Sequence, residues 1–411
     1  MNISNTRGDT SPRKPYITVI FALALSGLSE LASLFFIQPL LPILSKHYQV
    51  PIDHVSIILS VETALLAIGL LFTGSLSDRF GRKKLIVASL FSGSVLTCLC
   101  GFVSSWGILV AVMGLLGLTL SGIAAAATAY ISEEVAPAFA GVVTGYFVFG
   151  NSMGGMSGRV FASQMITHTS LHNIFYGFSG LLFCISILVF LILPESKNFK
   201  PAAKLKLTRM INGASDHFRN KMILPMYGVG FIIFGVFTSL YNYLTFYVSH
   251  APFNLSHAHA GLISICFALS VITAPQAGRL SNKYGATKVL TGLFSIMIIG
   301  MLLSLTHTLP TLLLGVVIFT GCFFGCHSIG LRWVNKHATH DRGQAASLYL
   351  FCYYLGGSTL GYCNGYVYTF MGWAGMASFV IVLLLIGISV ATYLRHHINQ
   401  QDVEEVVAVK S

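Results

Sequence analysis

Long apolar segments alternate with short polar segments along the whole chain of 411 residues. Each apolar run is roughly 20 residues or longer, which is the length that an α-helix needs to cross the hydrocarbon core of a bilayer. The pattern therefore predicts twelve membrane-spanning helices. We expect them at 16–44, 54–76, 84–106, 108–131, 140–166, 172–193, 222–248, 257–277, 288–307, 311–333, 344–370 and 373–394.

The composition excludes an ordinary soluble protein. Hydrophobic residues make up 55% of the chain, charged residues only 9%, and the mean hydropathy is +0.76. In soluble domains about a quarter of all residues are charged. The fold class that follows is an all-α membrane protein, which has the lipid bilayer as its surroundings.

The formal net charge of +11 could indicate a nucleic-acid partner, so the position of the charges has to decide. If both termini are cytoplasmic, the cytoplasmic segments hold all 24 Lys and Arg residues except Lys46 and Arg159. This is the bias that orients membrane proteins with their positive loops inside. We therefore expect cytoplasmic termini and no nucleic-acid partner.

A charged decapeptide, G-S-L-S-D-R-F-G-R-K, begins at Gly74 between the second and third apolar runs. Glycine at Gly74 and Gly81 permits close backbone approach and positive φ angles. Asp78 can act as an anionic partner at a helix end, and Arg79 and Arg82 are too costly to cross a bilayer. We expect a cytoplasmic hairpin whose charges gate transport, with a solvated basic turn as the alternative.

The decapeptide resembles the loop signature of the major facilitator superfamily, G-x-L-S-D-R-x-G-R-K. This resemblance implies twelve helices in two pseudo-symmetric six-helix halves that rock around a central site. It also implies a secondary transporter of the cell inner membrane, with a small-molecule substrate. The Gly-rich fifth span and the residues from Gly325 to Trp373 resemble the bacterial sugar and drug efflux branch.

Internal repeats support two halves independently of the decapeptide. The segment from Gly278 to Gly285 copies Gly74 to Gly81 at an offset of 204, with Asn282 in place of the aspartate. We expect an amino-terminal half at 1–194, a cytoplasmic linker at 195–219 and a carboxy-terminal half at 220–411. Glycines at every fourth residue, a pattern that suits tight helix packing, repeat at an offset of 207: Gly150, Gly154 and Gly158, then Gly357, Gly361 and Gly365.

The candidates for proton coupling are three titratable residues of the predicted spans, Glu30, Glu62 and His327. Glu30 is near the middle of the first span, Glu62 is nearer the outer surface in the second, and His327 lies in the tenth. An ionisable group at this depth is costly unless it faces a cavity or a partner. Glu30 is the first choice for the proton carrier. A structural role is the alternative for Glu30 and His327, and snorkelling or a wet cavity mouth could relieve the charge of Glu62.

Arg159 is the basic residue deep in the amino-terminal half, and its charge needs an anion. Glu30, Glu62 or an acidic group of the substrate could supply that anion. Tyrosine and amide side chains suit the wall of a binding cavity, although tyrosines also anchor membrane interfaces. The candidates for substrate binding are Arg159, Gln38, Tyr241, Asn242, Tyr243, Tyr366 and Arg332.

The sequence has no P-loop motif, so the expected energy source is the proton gradient. The resemblance to the efflux branch favours an antiporter that exports a small organic solute. The alternatives are transport of a polycarboxylate or siderophore-like metal chelator in either direction, and a transporter-like sensor. We expect a monomer that is not an enzyme and needs no cofactor or metal.

Overall fold

The computed structural model describes residues 16–197, 207–338 and 340–410, and all regular elements in these ranges are helices. The α-helices are α1 (Ile17–Phe35), α2 (Leu41–Tyr48), α3 (Ile52–Val55), α4 (Ile57–Phe80), α5 (Arg82–Cys100), α6 (Trp106–Glu134), α7 (Pro137–Met165), α8 (Leu171–Ile192), α9 (Leu207–Arg219), α10 (Leu224–Val248), α11 (His257–Leu262), α12 (Ser270–Tyr284), α13 (Ala286–Leu303), α14 (Leu309–His337) and α15 (Arg342–Lys410). Two 3₁₀ helices lie at Gln38–Leu40 and Ile263–Leu269.

The helices confirm the twelve predicted spans. By length and hydropathy, ten helical segments of the described residues could cross a membrane. One of them, Arg342–His397, contains two spans, because Gly372 interrupts the helical backbone with φ 62° and ψ −156°. The twelfth span is α7, which has 29 residues and is rich in glycine and polar side chains.

The first span is broken where its two prolines predict a break. Helix α1 ends at Phe35, a 3₁₀ turn spans Gln38–Leu40, and α2 continues to Tyr48. Pro39 and Pro42 lack the N–H groups that a continuous helix would use. The break turns Gln38 into the protein interior, where it is 1% exposed.

The charged decapeptide forms a tighter turn than the sequence predicts. The expected hairpin begins after residue 76, but α4 continues through Phe80 and α5 starts at Arg82. Gly81 alone leaves the helical conformation, with φ 98° and ψ 150°, a region that side chains with a Cβ avoid. Gly285 has nearly the same backbone, φ 90° and ψ 139°, between α12 and α13.

The glycine stripe of α7 lies against the backbone of α1. A Cβ at Gly154 would clash with the carbonyl oxygen of Leu28, and one at Gly158 would clash with the backbone of Ala32. In the carboxy-terminal half the closest backbone approach shifts by one residue. There Gly356 faces the carbonyl of Phe231, whereas Gly357 faces a phenylalanine side chain.

The linker expected to be one long loop contains helix α9. The Phe218 ring lies 5.4 Å from the Tyr227 ring, and Gly213 lies against the side chain of Gln344. This helix therefore packs on the carboxy-terminal half.

The two halves meet at one side of the molecule. We call the side with the turns at Gly81 and Gly285 the basic side, and the opposite side, with the α2–α3 and α10–α11 connections, the far side. Several hydrogen bonds between the halves lie toward the far side, among them Tyr243 to Ser56 (2.9 Å), Ser358 to Ser60 (2.7 Å), Gln164 to Ala258 (2.9 Å) and His54 to Tyr362 (3.2 Å). The conformation is closed at the far side.

Candidate functional site

Arg159 is buried near the far-side end of α7, where it is 2% exposed. Its Nε donates to Oε1 of Gln38 over 2.7 Å, and its Nη1 donates to the carbonyl of Gly155 over 2.6 Å. The third nitrogen, Nη2, is buried and has no hydrogen-bond partner among the described residues. The guanidinium thus has one donor group left for a ligand.

Four aromatic rings surround this guanidinium. The distances from its Cζ atom to the ring centroids are 4.1 Å for Phe35, 4.5 Å for Phe267, 5.2 Å for Tyr241 and 5.8 Å for Phe237. The negative face of an aromatic ring attracts a cation at such distances, most strongly where water is excluded. The rings therefore stabilise the charge of Arg159 without an anion.

The structure does not bring the predicted buried charges together. Within the described ranges, no ion pair links Arg159 to Glu30 or to Glu62. A role for Arg159 in holding an anion stays a prediction. Of the three predicted anions, only an acidic group of the substrate is still a candidate.

Gln38 connects the Arg159 group to the other half. Its Nε2 donates to Oδ1 of Asn242 over 2.6 Å, and both side chains are 1% exposed. These two residues are equivalent positions of the internal repeat, so the bond lies where the two halves meet symmetrically. The chain Arg159, Gln38 and Asn242 is a buried polar link across the far-side closure.

The three candidate tyrosines lie in different surroundings. Tyr241 faces Arg159, and its hydroxyl is 2.7 Å from Oγ1 of Thr320. Tyr243 spans the two halves through its bond to Ser56. Tyr366, expected opposite Arg159 by the repeat, is 37% exposed and bonds to the hydroxyl of another tyrosine at 2.9 Å. Only Tyr241 of these three contacts the guanidinium.

Glu30 is 2% exposed on α1, and its Oε2 is buried without a hydrogen-bond partner in the part of the chain that the structure describes. Leu28 and Ala32 pack on α7, and two residues along a helix correspond to about 200° of rotation. Glu30 therefore points away from α7. It lies within electrostatic range of Tyr354 of α15, which belongs to the other half, and Phe35 of the same helix lies 6.1 Å from Phe234 of that half. The carboxyl group thus lies at the contact between the halves.

The sequence places Glu62 toward the outer surface of its span, but in the structure its side chain lies inside the amino-terminal half. It is fully buried, and both carboxyl oxygens lack hydrogen-bond partners within the described residues. Its electrostatic neighbour is Cys100 of α5, so the side chain belongs to the interior of the amino-terminal half. The two buried glutamates therefore occupy separate environments.

His327 of α14 belongs to an aromatic cluster that leads to the Arg159 group. Its ring lies 4.5 Å from Tyr353, and its Nδ1 lies 3.4 Å from the hydroxyl of Tyr349. Tyr353 stacks on Phe234 at 4.2 Å, and Phe234 lies 6.1 Å from Phe35, which covers Arg159. His327 and Arg159 thus lie at two ends of one apolar cluster.

The basic turn forms an ion-pair network within its own half. Arg82 donates from Nε and Nη2 to both carboxylate oxygens of Glu133, over 3.0 and 2.6 Å. Its Nη1 lies 2.6 Å from Asp78 and 2.9 Å from Ser77. The network therefore joins α4, α5 and α6 of the amino-terminal half.

A latch between the halves stays a prediction for a conformation closed at the basic side. A Cβ on Gly74 would meet nothing within 4 Å, so this position is open here. The guanidinium of Arg79 lies 5.4 Å from the neighbouring ring of Phe80.

Arg332 lies away from the Arg159 group. It is exposed at the basic-side end of α14, and its Nη2 donates to Oδ1 of Asn282 over 3.1 Å. Phe323, which stacks on Phe237, is nine residues earlier on the same helix, or about 13 Å along its axis. A role for Arg332 at the same centre as Arg159 is not supported by this position.

The sequence model of the Major Facilitator Superfamily matches residues 23–256 and 243–406. The chain belongs to the major facilitator superfamily. The inner membrane transport protein YnfM of Escherichia coli K12 is 36% identical over 385 residues, covering 93% of this chain and 92% of that protein. This superfamily member is therefore a multi-pass membrane transporter of small molecules, and not an enzyme.

Two further similarities concern a part of the chain and the fold. The multidrug resistance protein MdtG of Salmonella arizonae is 26% identical over 240 residues, covering 57% of this chain and 58% of that protein. A crystal structure of a bacterial homologue of the human lysosomal transporter Spinster, inward-facing and unoccupied, superposes with a TM-score of 0.70 at 14% identity. It covers 94% of this chain and 98% of that one, so it shows the superfamily fold over nearly the whole length.

Sequence reasoning missed the aromatic residues of this superfamily member's centre. Phe35, Phe237 and Phe267 contact Arg159, and Tyr354 lies near Glu30. In a chain with 30 phenylalanines, such rings look like ordinary lipid-facing residues. One usable signal was the spacing of Phe35, five residues after Glu30 and close to the proline break.

Proposed function

We propose that this protein exports a small organic solute in exchange for protons, across the bacterial inner membrane and by alternating access. Glu30 carries the proposal. It is a buried carboxyl group at the contact between the halves, with an oxygen that no described residue satisfies. A group in this position can exchange its proton only when the halves rearrange, which is what coupling requires.

The contacts between the halves support alternating access. The link of Arg159, Gln38 and Asn242 joins both halves near the far side, and it has to break for a solute to leave there. The helix break before Pro39 gives Gln38 a local backbone that can move without unwinding α1. Since one chain supplies both halves of this centre, a monomer is the proposed functional unit.

The proposed direction of transport and the orientation in the membrane depend on the distribution of Lys and Arg and on the similarity to a known transporter. Lys46 and Arg159 are the exceptions to a one-sided distribution of Lys and Arg, which favours cytoplasmic termini. With that orientation, the basic side is cytoplasmic and the closed far side is periplasmic. The similarity to a multidrug resistance protein and the glycine pattern of α7 favour export.

The test begins with a solute found by thermal-stability screening of the purified protein against sugars, drugs and carboxylates. The protein is then reconstituted in liposomes, and accumulation under an imposed pH gradient is compared with exchange at equal pH. Glu30→Gln keeps the shape of the side chain but cannot titrate, so we expect it to lose accumulation and keep exchange. Glu62→Gln is the matched control, since it removes the other buried carboxyl group.

Accumulation by Glu30→Gln at the wild-type level would contradict this assignment. Loss of accumulation in Glu62→Gln alone would move the coupling role to the interior of the amino-terminal half. Absence of counterflow with every stabilising solute would contradict transport itself and support the sensor alternative.

An anionic solute such as a polycarboxylate is a second candidate, and Arg159 supports it. Its Nη2 donor is unused and its charge has no carboxylate partner among the described residues. An arginine can bind a carboxylate through two nitrogens. If di- and tricarboxylates compete for counterflow and neutral sugars do not, the anionic solute is favoured.

A further inference from the structure

A cavity of about 790 Å³ lies at the basic side of the carboxy-terminal half. It is open to solvent and is lined by residues at the basic-side ends of α12, α13, α14 and α15. Four cationic side chains line it: Lys288, Arg332, Lys336 and Arg395. All four are exposed, so their charged ends are accessible from solvent.

The cavity has no acidic residue in its lining. The sequence from Asn220 to His340 contains no Asp or Glu, so α12, α13 and α14 supply no acidic side chain up to His340. Within the described ranges, no ion pair involves any of the four cations. Like charges around one cavity repel each other unless an anion lies between them.

Two features orient this positive charge toward the cavity. Arg332 is fixed by its bond to Asn282, and its guanidinium lies against the backbone at Gly278. Helix α13, with 18 residues, begins at the cavity, and Thr287 of its first turn is part of the lining. Free N–H groups at a helix start favour anions, which adds to the side-chain charges.

We propose that this cavity binds a phosphate group, and that its occupant is the headgroup of an acidic phospholipid. The cavity lies at the ends of four membrane-crossing segments, the level at which headgroups are found. Exposed tyrosines flank it: Tyr284 is 52% exposed in the lining, and Tyr393, two residues before Arg395, is 60% exposed. Tyrosine is enriched at this level of the membrane. The site does not depend on the proposed proton or solute chemistry.

The test uses the full-length protein in nanodiscs and measures lipid retention by native mass spectrometry. Discs of phosphatidylcholine with one fifth phosphatidylglycerol are compared with pure phosphatidylcholine. The wild type is expected to retain phosphatidylglycerol selectively. The double variant Arg332→Gln with Lys336→Gln is expected to lose about 30-fold in affinity, from the attraction of roughly two basic residues to an anionic headgroup.

The matched control is Arg279→Gln with Lys283→Gln. It removes two cations from the same side and the same half, but neither residue lines the cavity. We expect it to retain phosphatidylglycerol like the wild type. Arg332→Lys keeps the charge and is expected to restore most of the retention lost in Arg332→Gln, which separates binding from misfolding.

Equal losses in the test and control pairs would overturn the proposal, because the attraction would then be diffuse. Retention unchanged in the test pair would overturn it as well. A third arm adds inorganic phosphate to protein in neutral detergent. If free phosphate raises the thermal unfolding temperature through Arg332 and phosphatidylglycerol is not retained, the lipid assignment is wrong.

Discussion

The turn after α4 and the turn after α12 have nearly the same backbone, but among the described residues acidic side chains pair with the basic residues only at the first. Gly81 and Gly285 differ by less than about 12° in φ and ψ, and each joins two spans without a further non-helical residue. In the first turn, Arg82 is paired with Asp78 and Glu133. In the second turn, the corresponding region has no acid and surrounds a cationic cavity.

This comparison separates the backbone of the repeated turn, which is geometrically constrained, from the charges around it, which are not. Only glycine adopts the φ and ψ of both turns cheaply, so the glycines persist. The charges around the two turns differ: Arg82 is 6% exposed and paired with acids, whereas Arg332 and Lys336 are exposed and line the cavity. The same asymmetry runs through the membrane: Glu30, Glu62 and Arg159 are buried in the amino-terminal half, whereas the repeat position of Arg159 in the other half is Tyr366.

The largest effect on transport is expected for variants of Arg159, which are compared with a variant of Tyr366, its equivalent in the other half. Arg159→Ala removes two hydrogen bonds of a charged group, so transport should fall roughly 100-fold. Arg159→Lys keeps the charge without the planar geometry and should retain part of the activity. Tyr366→Phe removes an exposed hydroxyl and should transport at close to the wild-type rate. Counterflow in liposomes measures all three.

Wild-type counterflow in Arg159→Ala would assign this residue a structural role. A loss in Tyr366→Phe as large as that in Arg159→Ala would remove the functional difference between the halves.

A smaller effect is expected at the two turns. Asp78→Asn removes one of the acids paired with Arg82, and we expect about a fivefold lower transport rate with normal membrane insertion, the size of one surface ion pair. The reverse change, Asn282→Asp, adds an acid beside Arg332 and should leave transport unchanged while weakening retention of phosphatidylglycerol. Normal transport by Asp78→Asn would count against a latch at the basic side.

The smallest difference between the halves is expected for the turn glycines themselves. Gly81→Ala and Gly285→Ala each place a Cβ in a backbone conformation that costs about 1–3 kcal/mol. Both variants should lower the thermal unfolding temperature in detergent by similar amounts. If one variant is as stable as the wild type, the shared backbone constraint does not hold for that turn.

The sequence predicts the fold well because each membrane span appears in it as one continuous apolar run. Twelve apolar runs, the proline break at Pro39 and the family of the decapeptide all agree with the structure and the comparisons. The narrow turn at Gly81 and helix α9 differ from the prediction. A single glycine suffices for the turn, and α9 is a polar helix that hydropathy does not detect.

The site is less predictable, because hydropathy indicates how deep a residue lies in the membrane but not which way its side chain points. Glu30 and Glu62 both lie within predicted spans, yet Glu30 is near Tyr354 of the other half and Glu62 is near Cys100 of its own. The predicted tenth span, 311–333, includes Arg332 as a candidate for substrate binding beside Arg159, but Arg332 lies at the basic side. The meeting of Gln38 and Asn242 follows from their repeat offset, and that equivalence was visible in the sequence.

The most direct measurement of the central claim records protons and solute together. Proteoliposomes containing a pH-sensitive dye are given an outward gradient of the stabilising solute, and the internal pH is followed during solute movement. The account predicts a pH change that depends on the solute in the wild type and in Glu62→Gln. It predicts no such change in Glu30→Gln, although solute exchange continues. A pH change of wild-type size in Glu30→Gln would contradict the account.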